Sequence, residues 1–292
     1  MLILSHLING IQIGSIYALV ALGYSMVYGI IMLLNFAHGD IIMVGGYIAL
    51  LAIGAGLSPV LAVAVTIVGS MLLAVLVEKL AYTPLRNAPR LSLLITAIGV
   101  SILLQNLAQK FFSATPRPFP NNKIMPNENI QIGPVSISLV TIVTIAVSLL
   151  AMLLLSVLVA KTKMGKAMRA VSEDTQAAQL MGINVNSVIS FTFAVGSALA
   201  GIASILFCCR YPQVTPTMGA LLGIKAFIAA VLGGIGSIPG AVIGGFAIGM
   251  TEVLVTALNM SRWTDGAVFA ILIVVLLFRP TGFMGRSMVE KV

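Results

Sequence analysis

Lys166-Ala-Met-Arg-Ala-Val-Ser172-Glu-Asp-Thr-Gln-Ala-Ala-Gln-Leu-Met-Gly182 is a charged, helix-forming island in a chain that is otherwise almost wholly apolar. Ser172 has the side chain of an N-cap, and Glu173 and Asp174 follow where a helix dipole is positive. Gln176, Ala177, Ala178 and Met181 favour helix, and Gly182 stands where a left-handed residue closes one. These signals predict a helix over 173–181, about 13 Å long. So short a helix is marginal alone in water and needs a surface to pack against. Met164, Met168, Val171, Thr175 and Ala178 recur at steps of three and four, an apolar stripe beside a charged face. Two readings stand: a helix lying on a membrane surface between two spans, or a handle by which a soluble partner grips a membrane protein.

The surroundings of that island decide the class. Of 292 residues, 59% are apolar and 8% charged, against about 25% charged in a soluble domain. Apolar runs long enough to cross a bilayer recur from end to end, and the ten-residue alternation of a β-barrel is missing. The fold class expected is an all-α, polytopic transmembrane helical bundle of about eight to ten spans, in one domain over 1–292. Nine are read, at 7–31, 38–56, 58–77, 91–112, 135–160, 188–209, 219–236, 238–258 and 263–279. Gly56-Leu-Ser-Pro59 forms a tight turn between the second and third.

The formal charge of +8 follows from topology rather than from nucleic acid, because the basic residues are scattered singly in short loops. Lys79, Arg86 and Arg90 share one loop, and Lys161, Lys163, Lys166 and Arg169 another. Arg279, Arg286 and Lys291 end the chain. These ten face five on the other side (Lys110, Arg117, Lys123, Arg210 and Arg262), which places 161–187 and the C-terminus in the cytoplasm. Lys225 and Glu252 are ionisable groups within spans; they form a buried pair or, the favoured reading for Lys225, an unpaired end-of-span lysine that snorkels. Cys208 and Cys209 are adjacent, so they make neither a metal-spaced pair nor a disulfide with each other. No signal peptide, catalytic residues, metal site or Gly-rich phosphate loop is read.

Segment 113–134, on the outer side, carries prolines at 116, 118, 120, 126 and 134, which favour an extended ribbon. It reads as a docking surface for an extracytoplasmic partner or as an inert linker. Two other places interrupt the spans: Asn35-Phe-Ala-His38-Gly-Asp40, and Gly233-Gly234-Ile-Gly236-Ser-Ile-Pro239-Gly240. A carboxylate at mid-bilayer costs about 3 kcal/mol on insertion scales, so Asp40 is expected to face a cavity, a partner or the interface. Breaks of this kind line a translocation path in some transporters, and otherwise are plain interfacial turns with Asn35 or Asp40 capping a helix. Gly10/Gly14, Gly236/Gly240/Gly244, Gly245/Gly249 and Gly196/Ala200 repeat small residues every four positions and predict close helix contacts.

Four stretches together resemble one family. They are Asn35–Asp40, Gly165–Ile183, Leu232-Gly-Gly-Ile-Gly-Ser-Ile-Pro-Gly-Ala-Val-Ile-Gly-Gly245 and Phe278-Arg-Pro-Thr-Gly282. In that order, over nearly the whole chain, they look like the permease subunit of the high-affinity branched-chain amino-acid ABC importer. The resemblance implies a second homologous permease, two cytoplasmic ABC ATPases that bind the ATP, and a periplasmic substrate-binding protein. It also implies an inner-membrane location and no cofactor on this chain. It makes 172–182, with Ser172, Glu173, Asp174, Gln176, Ala177, Ala178, Met181 and Gly182, the coupling helix that meets an ATPase. The chain departs from the Glu-Ala-Ala pattern of many importer permeases, having Glu173-Asp-Thr with Gly182 nine residues on.

Competing expectations are a proton-coupled secondary transporter using His38, Asp40 or Glu252, an ABC permease for urea or short amides, and a passive channel. Few intramembrane ionisable groups are present, and they are not spaced as a relay: His38 and Asp40, two residues apart, lie off one helix face.

Overall fold

The computed structural model describes residues 2–32, 35–86, 88–126, 128–132 and 135–285. Arg286, Lys291 and Pro134, which entered the charge and proline patterns above, lie outside the described residues. The chain forms α1 (Leu2–Ile31), α2 (His38–Gly54) and α3 (Pro59–Val77), the last continued by a π turn at Glu78–Tyr82. Then come α4 (Arg90–Phe112), the two-residue strand β1 (Arg117–Pro118), the one-turn α5 (Asn121–Ile124), and strands β2 (Asn129–Ile132) and β3 (Val135–Ser138). The remainder is α6 (Leu139–Lys161), α7 (Lys163–Glu173), α8 (Thr175–Leu180), α9 (Val185–Arg210), β4 (Gln213–Val214), α10 (Met218–Gly233), α11 (Ile238–Ala257) and α12 (Thr264–Phe278).

All nine expected spans are helices. Seven have the length and hydropathy to cross a bilayer by themselves, while α2 and α10 are shorter. Seventeen and sixteen residues reach about 26 and 24 Å, less than a hydrocarbon core of about 30 Å. The span expected from 135 starts at Leu139 instead, because 135–138 pairs with 129–132 as a hairpin. The proline-rich segment is partly extended, as expected, but winds one helical turn at Asn121–Ile124, and β1 ties it to β4 beyond α9.

Local signals set the helix starts. Ser58 accepts from the Leu61 amide ahead of Pro59, Asn184 from that of Ser187, and Ser237 from that of Gly240. Each satisfies an amide that a helix N-terminus leaves without a partner.

The core is built around α1, whose apolar window is 89% buried. α11 runs antiparallel to it, small residue against small residue. A Cβ added at Gly249 would collide with the Gly14 backbone, and one at Gly245 would lie 2.5 Å from the Ala18 backbone. Lipid tails are as apolar as leucine, so close backbone approach takes the place of a hydrophobic drive between helices. At the rim, α4 and α12 have 11% and 6% of their windows buried and present Leu103, Phe111 and Leu277 outward.

One end of the bundle collects the ends of α1, α3 and α6, the starts of α4 and α9, and the α7–α8 pair. Ile31, Tyr82, Arg86, Leu93, Val171 and Val185 line one cavity there. The α10–α11 turn joins them, since Gly236 lies against Gly29, and Phe283 and Met284 donate their amides to the Leu232 and Gly233 carbonyls. This is the basic end; the strands occupy the other, the hairpin end.

Candidate functional site

The charged island folds as two helices, not one. Thr162 caps α7 by accepting from the Gly165 amide at 3.0 Å, and Arg169 donates to the Val159 and Ala160 carbonyls at the end of α6. Met168 and Val171 are buried against the bundle. Ser172 is not the N-cap. It and Glu173 belong to the last turn of α7, and the Ser172 hydroxyl bonds back to the Arg169 carbonyl. Asp174, in extended backbone, is the cap instead, its Oδ1 accepting from the Gln176 and Ala177 amides at 2.9 Å. Keeping Met168 and Val171 buried continues α7 through residue 173, so the chain can restart a helix only at 174.

The second helix, α8, runs Thr175–Leu180 and buries Ala178 alone; Thr175, expected on the buried stripe, is exposed. It closes as anticipated. Gly182 has φ +82°, its amide donates to the Gln179 carbonyl, and the Ile183 amide reaches the Ala178 carbonyl. This is a Schellman closure. The tip therefore projects Leu180 and Met181, 89% and 83% exposed, on a turn fixed at both ends. Gln176 and Ala177 are exposed beside them.

The first break is deep. Asn35 Oδ1 accepts from the Ala37 amide at 3.1 Å and from the Tyr82 hydroxyl at 2.7 Å, so Asn35 organises the entry to α2. His38 packs edge-on against Tyr24 at 4.9 Å between ring centroids and fills the space over Gly23. Gly23 precedes Ile31, the end of α1, by about 12 Å of helix, so α2 begins inside the bundle. Its Gly39 meets Gly219 and Gly223 in the first turns of α10. Two helix starts thus lie side by side in the interior, which only glycine permits. Asp40, 1% exposed, accepts from Gln105 Nε2 at 3.0 Å on α4. Its Oδ2 and His38 Nε2 have no hydrogen-bond partner among the described residues.

The second break is different. Gly233 ends α10, Gly234 (φ +102°) and Gly236 (φ +88°) turn the chain at the basic end, and Pro239 stands in the first turn of α11. The two breaks lie at different depths.

Lys225 takes the less favoured of its two readings, the buried pair with Glu252. It is not an unpaired lysine reaching for the interface: its Nζ lies 2.5 Å from Glu252 Oε1 and 2.7 Å from Asp265 Oδ1. The Tyr17 hydroxyl donates to Glu252 Oε2 at 2.9 Å. This network joins α1, α10, α11 and α12. A second network was missed altogether. Buried Glu78 accepts from Arg86, Thr83 and Ser190, and Arg86 reaches Asn186 at 2.5 Å. Only the position of these residues at span ends hinted at it. The described residues contain no cluster of metal-ligating side chains.

Nine apolar helices, two of them short and starting in the interior, define a polytopic helical membrane protein. Residues 6–277 match the family described as branched-chain amino acid transport system permease component, and the chain belongs to that family. It is 43% identical to the high-affinity branched-chain amino acid transport system permease protein BraD of Pseudomonas aeruginosa, over 99% of this chain and 98% of the relative. It is 42% identical to LivH of Escherichia coli (strain K12), over 99% and 97%. With the probable branched-chain amino acid transport permease protein LivH of Methanocaldococcus jannaschii it shares 30% over 93% and 89%. Among solved structures, PsaBC from Streptococcus pneumoniae in complex with Fab matches 95% of this chain and 91% of that one, at TM-score 0.49 and 15% identity.

Proposed function

We propose that this chain is the membrane-spanning permease of an inner-membrane ABC importer for leucine, isoleucine and valine, with ATP bound and hydrolysed by separate subunits. In this reading the basic end faces the cytoplasm, and α8 with its flanks, from Ser172 to Gly182, is the coupling element. The observation that carries the coupling role is the pair Leu180–Met181. Two large apolar side chains stand almost fully exposed at the tip of a helix fixed by Asp174 at one end and Gly182 at the other. An exposed apolar tip on a rigid mount fits a groove in a soluble protein. Force from that partner passes into the bundle through Met168 and Val171.

The branched-chain cargo is supported by the names of the relatives, which the chain matches end to end, and these weigh against urea or short amides. A second copy or homologue of the permease would complete the pathway, and a periplasmic binding protein would deliver the amino acid to the hairpin end. Proton coupling through Glu252 is disfavoured because both its oxygens are engaged, by Tyr17 and by Lys225.

Crosslinking tests the coupling role. The native cysteines, Cys208 and Cys209, are both buried, so Gln176→Cys supplies the accessible thiol. With an intact complex, a short bifunctional reagent should join position 176 to an ATPase subunit; no adduct from an assembled complex contradicts the assignment.

A further inference from the structure

Beneath the α7–α8 joint lies a cavity of about 350 Å³, within the range of about 300–1,000 Å³ that holds small ligands. We propose that it is a regulatory site for a free aliphatic α-amino acid on the cytoplasmic side, whose occupancy restrains the coupling element.

The walls carry the chemistry. Ile30, Leu93, Ile189 and Phe193 supply an apolar surface, and Arg86 and Glu173 line the same space. Arg86 is held by Glu78, Thr83 and Asn186. A guanidinium has five N–H donors, so Nε–H and one Nη1–H remain on opposite edges of the fork, and a carboxylate can take one of them while Arg86 keeps its ion pair with Glu78. Glu173 ends α7, is exposed, and has no hydrogen-bond or ion-pair partner among the described residues. It is free to receive an ammonium. A spare guanidinium donor on an Arg86 already neutralised by Glu78, the unpaired carboxylate of Glu173 and an aliphatic wall match a zwitterion with a branched alkyl side chain better than an ion of a single sign. A phosphate or an anionic headgroup would meet Glu173 with like charge and leave no use for the apolar wall.

The position explains why occupancy would matter. The cavity is bounded by the end of α1, the start of α4, the joint between α7 and α8, and the start of α9. The backbone at its margin is irregular, with the π turn at Glu78–Tyr82 and Met32 at φ +53°, features that concentrate at functional sites. A ligand bridging Arg86 and Glu173 ties the coupling element to the α3–α4 connection and, through Asn186, to α9, and opposes its movement. Imported product would then slow further import.

The effect on uptake rests on the importer reading; binding does not. The purified permease–ATPase complex, without binding protein, is dialysed against radiolabelled L-leucine. Saturable binding is expected, lost in Ile189→Trp, which fills the cavity, and weakened about ten-fold in Glu173→Gln, which changes only an exposed side chain. Leucinol, which lacks the carboxylate, should not compete. In ATP-loaded proteoliposomes supplied with the substrate-binding protein outside, lumenal leucine should slow wild-type uptake on the order of five-fold, and Ile189→Trp should escape while keeping its uptake with an empty lumen. No saturable binding, or binding indifferent to both substitutions, overturns the site. Uptake that is absent even with an empty lumen sinks the importer reading instead, leaving the binding result to stand on its own.

Discussion

Lys225 on α10 and Glu252 on α11 form an ion pair of 2.5 Å, with side chains 15% and 9% exposed. Both side chains are largely withdrawn from solvent, and each also has a second partner, Asp265 for Lys225 and the Tyr17 hydroxyl for Glu252. Removing Lys225 leaves the Glu252 carboxylate with only the Tyr17 hydroxyl, at a cost on the order of 3 kcal/mol, whereas removing both charges together is far milder. Lys225→Met should therefore lower the thermal unfolding midpoint of the detergent-solubilised protein more than the double substitution Lys225→Met with Glu252→Leu. If the double variant is as damaged as the sum of the singles, the pair does not act as a unit. Asp265 is about half exposed, so Asp265→Asn should have little effect.

The α1–α11 seam makes a steric prediction. A side chain at Gly249 would strike the Gly14 backbone, whereas Cβ atoms at Gly54 and Gly99 would meet nothing within 4 Å. Gly249→Val should cost roughly 1–3 kcal/mol or prevent folding, read as a loss of monodisperse protein on size-exclusion chromatography. Gly99→Ala, in a helix interior, should be neutral or slightly stabilising.

How much of this was legible follows the physics of each feature. The spans were, because a bilayer demands long apolar helices, and the repeated glycines of α1 and α11 announced close helix contacts without saying with which helix. The lysine–glutamate pairing could be raised but not decided: the partners sit 27 residues apart on different helices, and nothing in one sequence reports which faces meet. The break at 174 was half legible. Ser172 and Asp174 are both good caps, and only the burial of Met168 and Val171 decides between them. The meeting of Gly39 with Gly219 and Gly223 was not legible, since isolated glycines on two helices do not report that their backbones touch. Roles in transport were readable only through resemblance, since a coupling element is defined by what docks on it.

The tip of α8 separates stability from transport. Leu180 and Met181 touch little of the bundle, so Leu180→Asp and Met181→Asp should leave unfolding within about 0.5 kcal/mol of wild type. Under the proposed coupling role both should cut leucine uptake severely and weaken copurification of the ATPase. Full uptake from the double variant would remove the tip from the mechanism.

The two caps of α8 allow a graded version of the same test. Asp174→Ala deletes the bonds to the Gln176 and Ala177 amides, worth about 1 kcal/mol for a cap, and Asp174→Asn or Asp174→Ser restores an acceptor. At the other end Gly182 has open space around it but φ +82°, so Gly182→Asn, which tolerates a left-handed backbone, should be milder than Gly182→Val, which does not. None of these residues contributes to the core, so membrane insertion and overall folding should survive in all of them. Uptake should instead rank with the rigidity of the tip: Asn above Val at 182, Ser above Ala at 174. A ranking that followed side-chain charge rather than capping competence would mean that residues 174 and 182 touch the ATPase directly, and that α8 is not a mount for Leu180 and Met181.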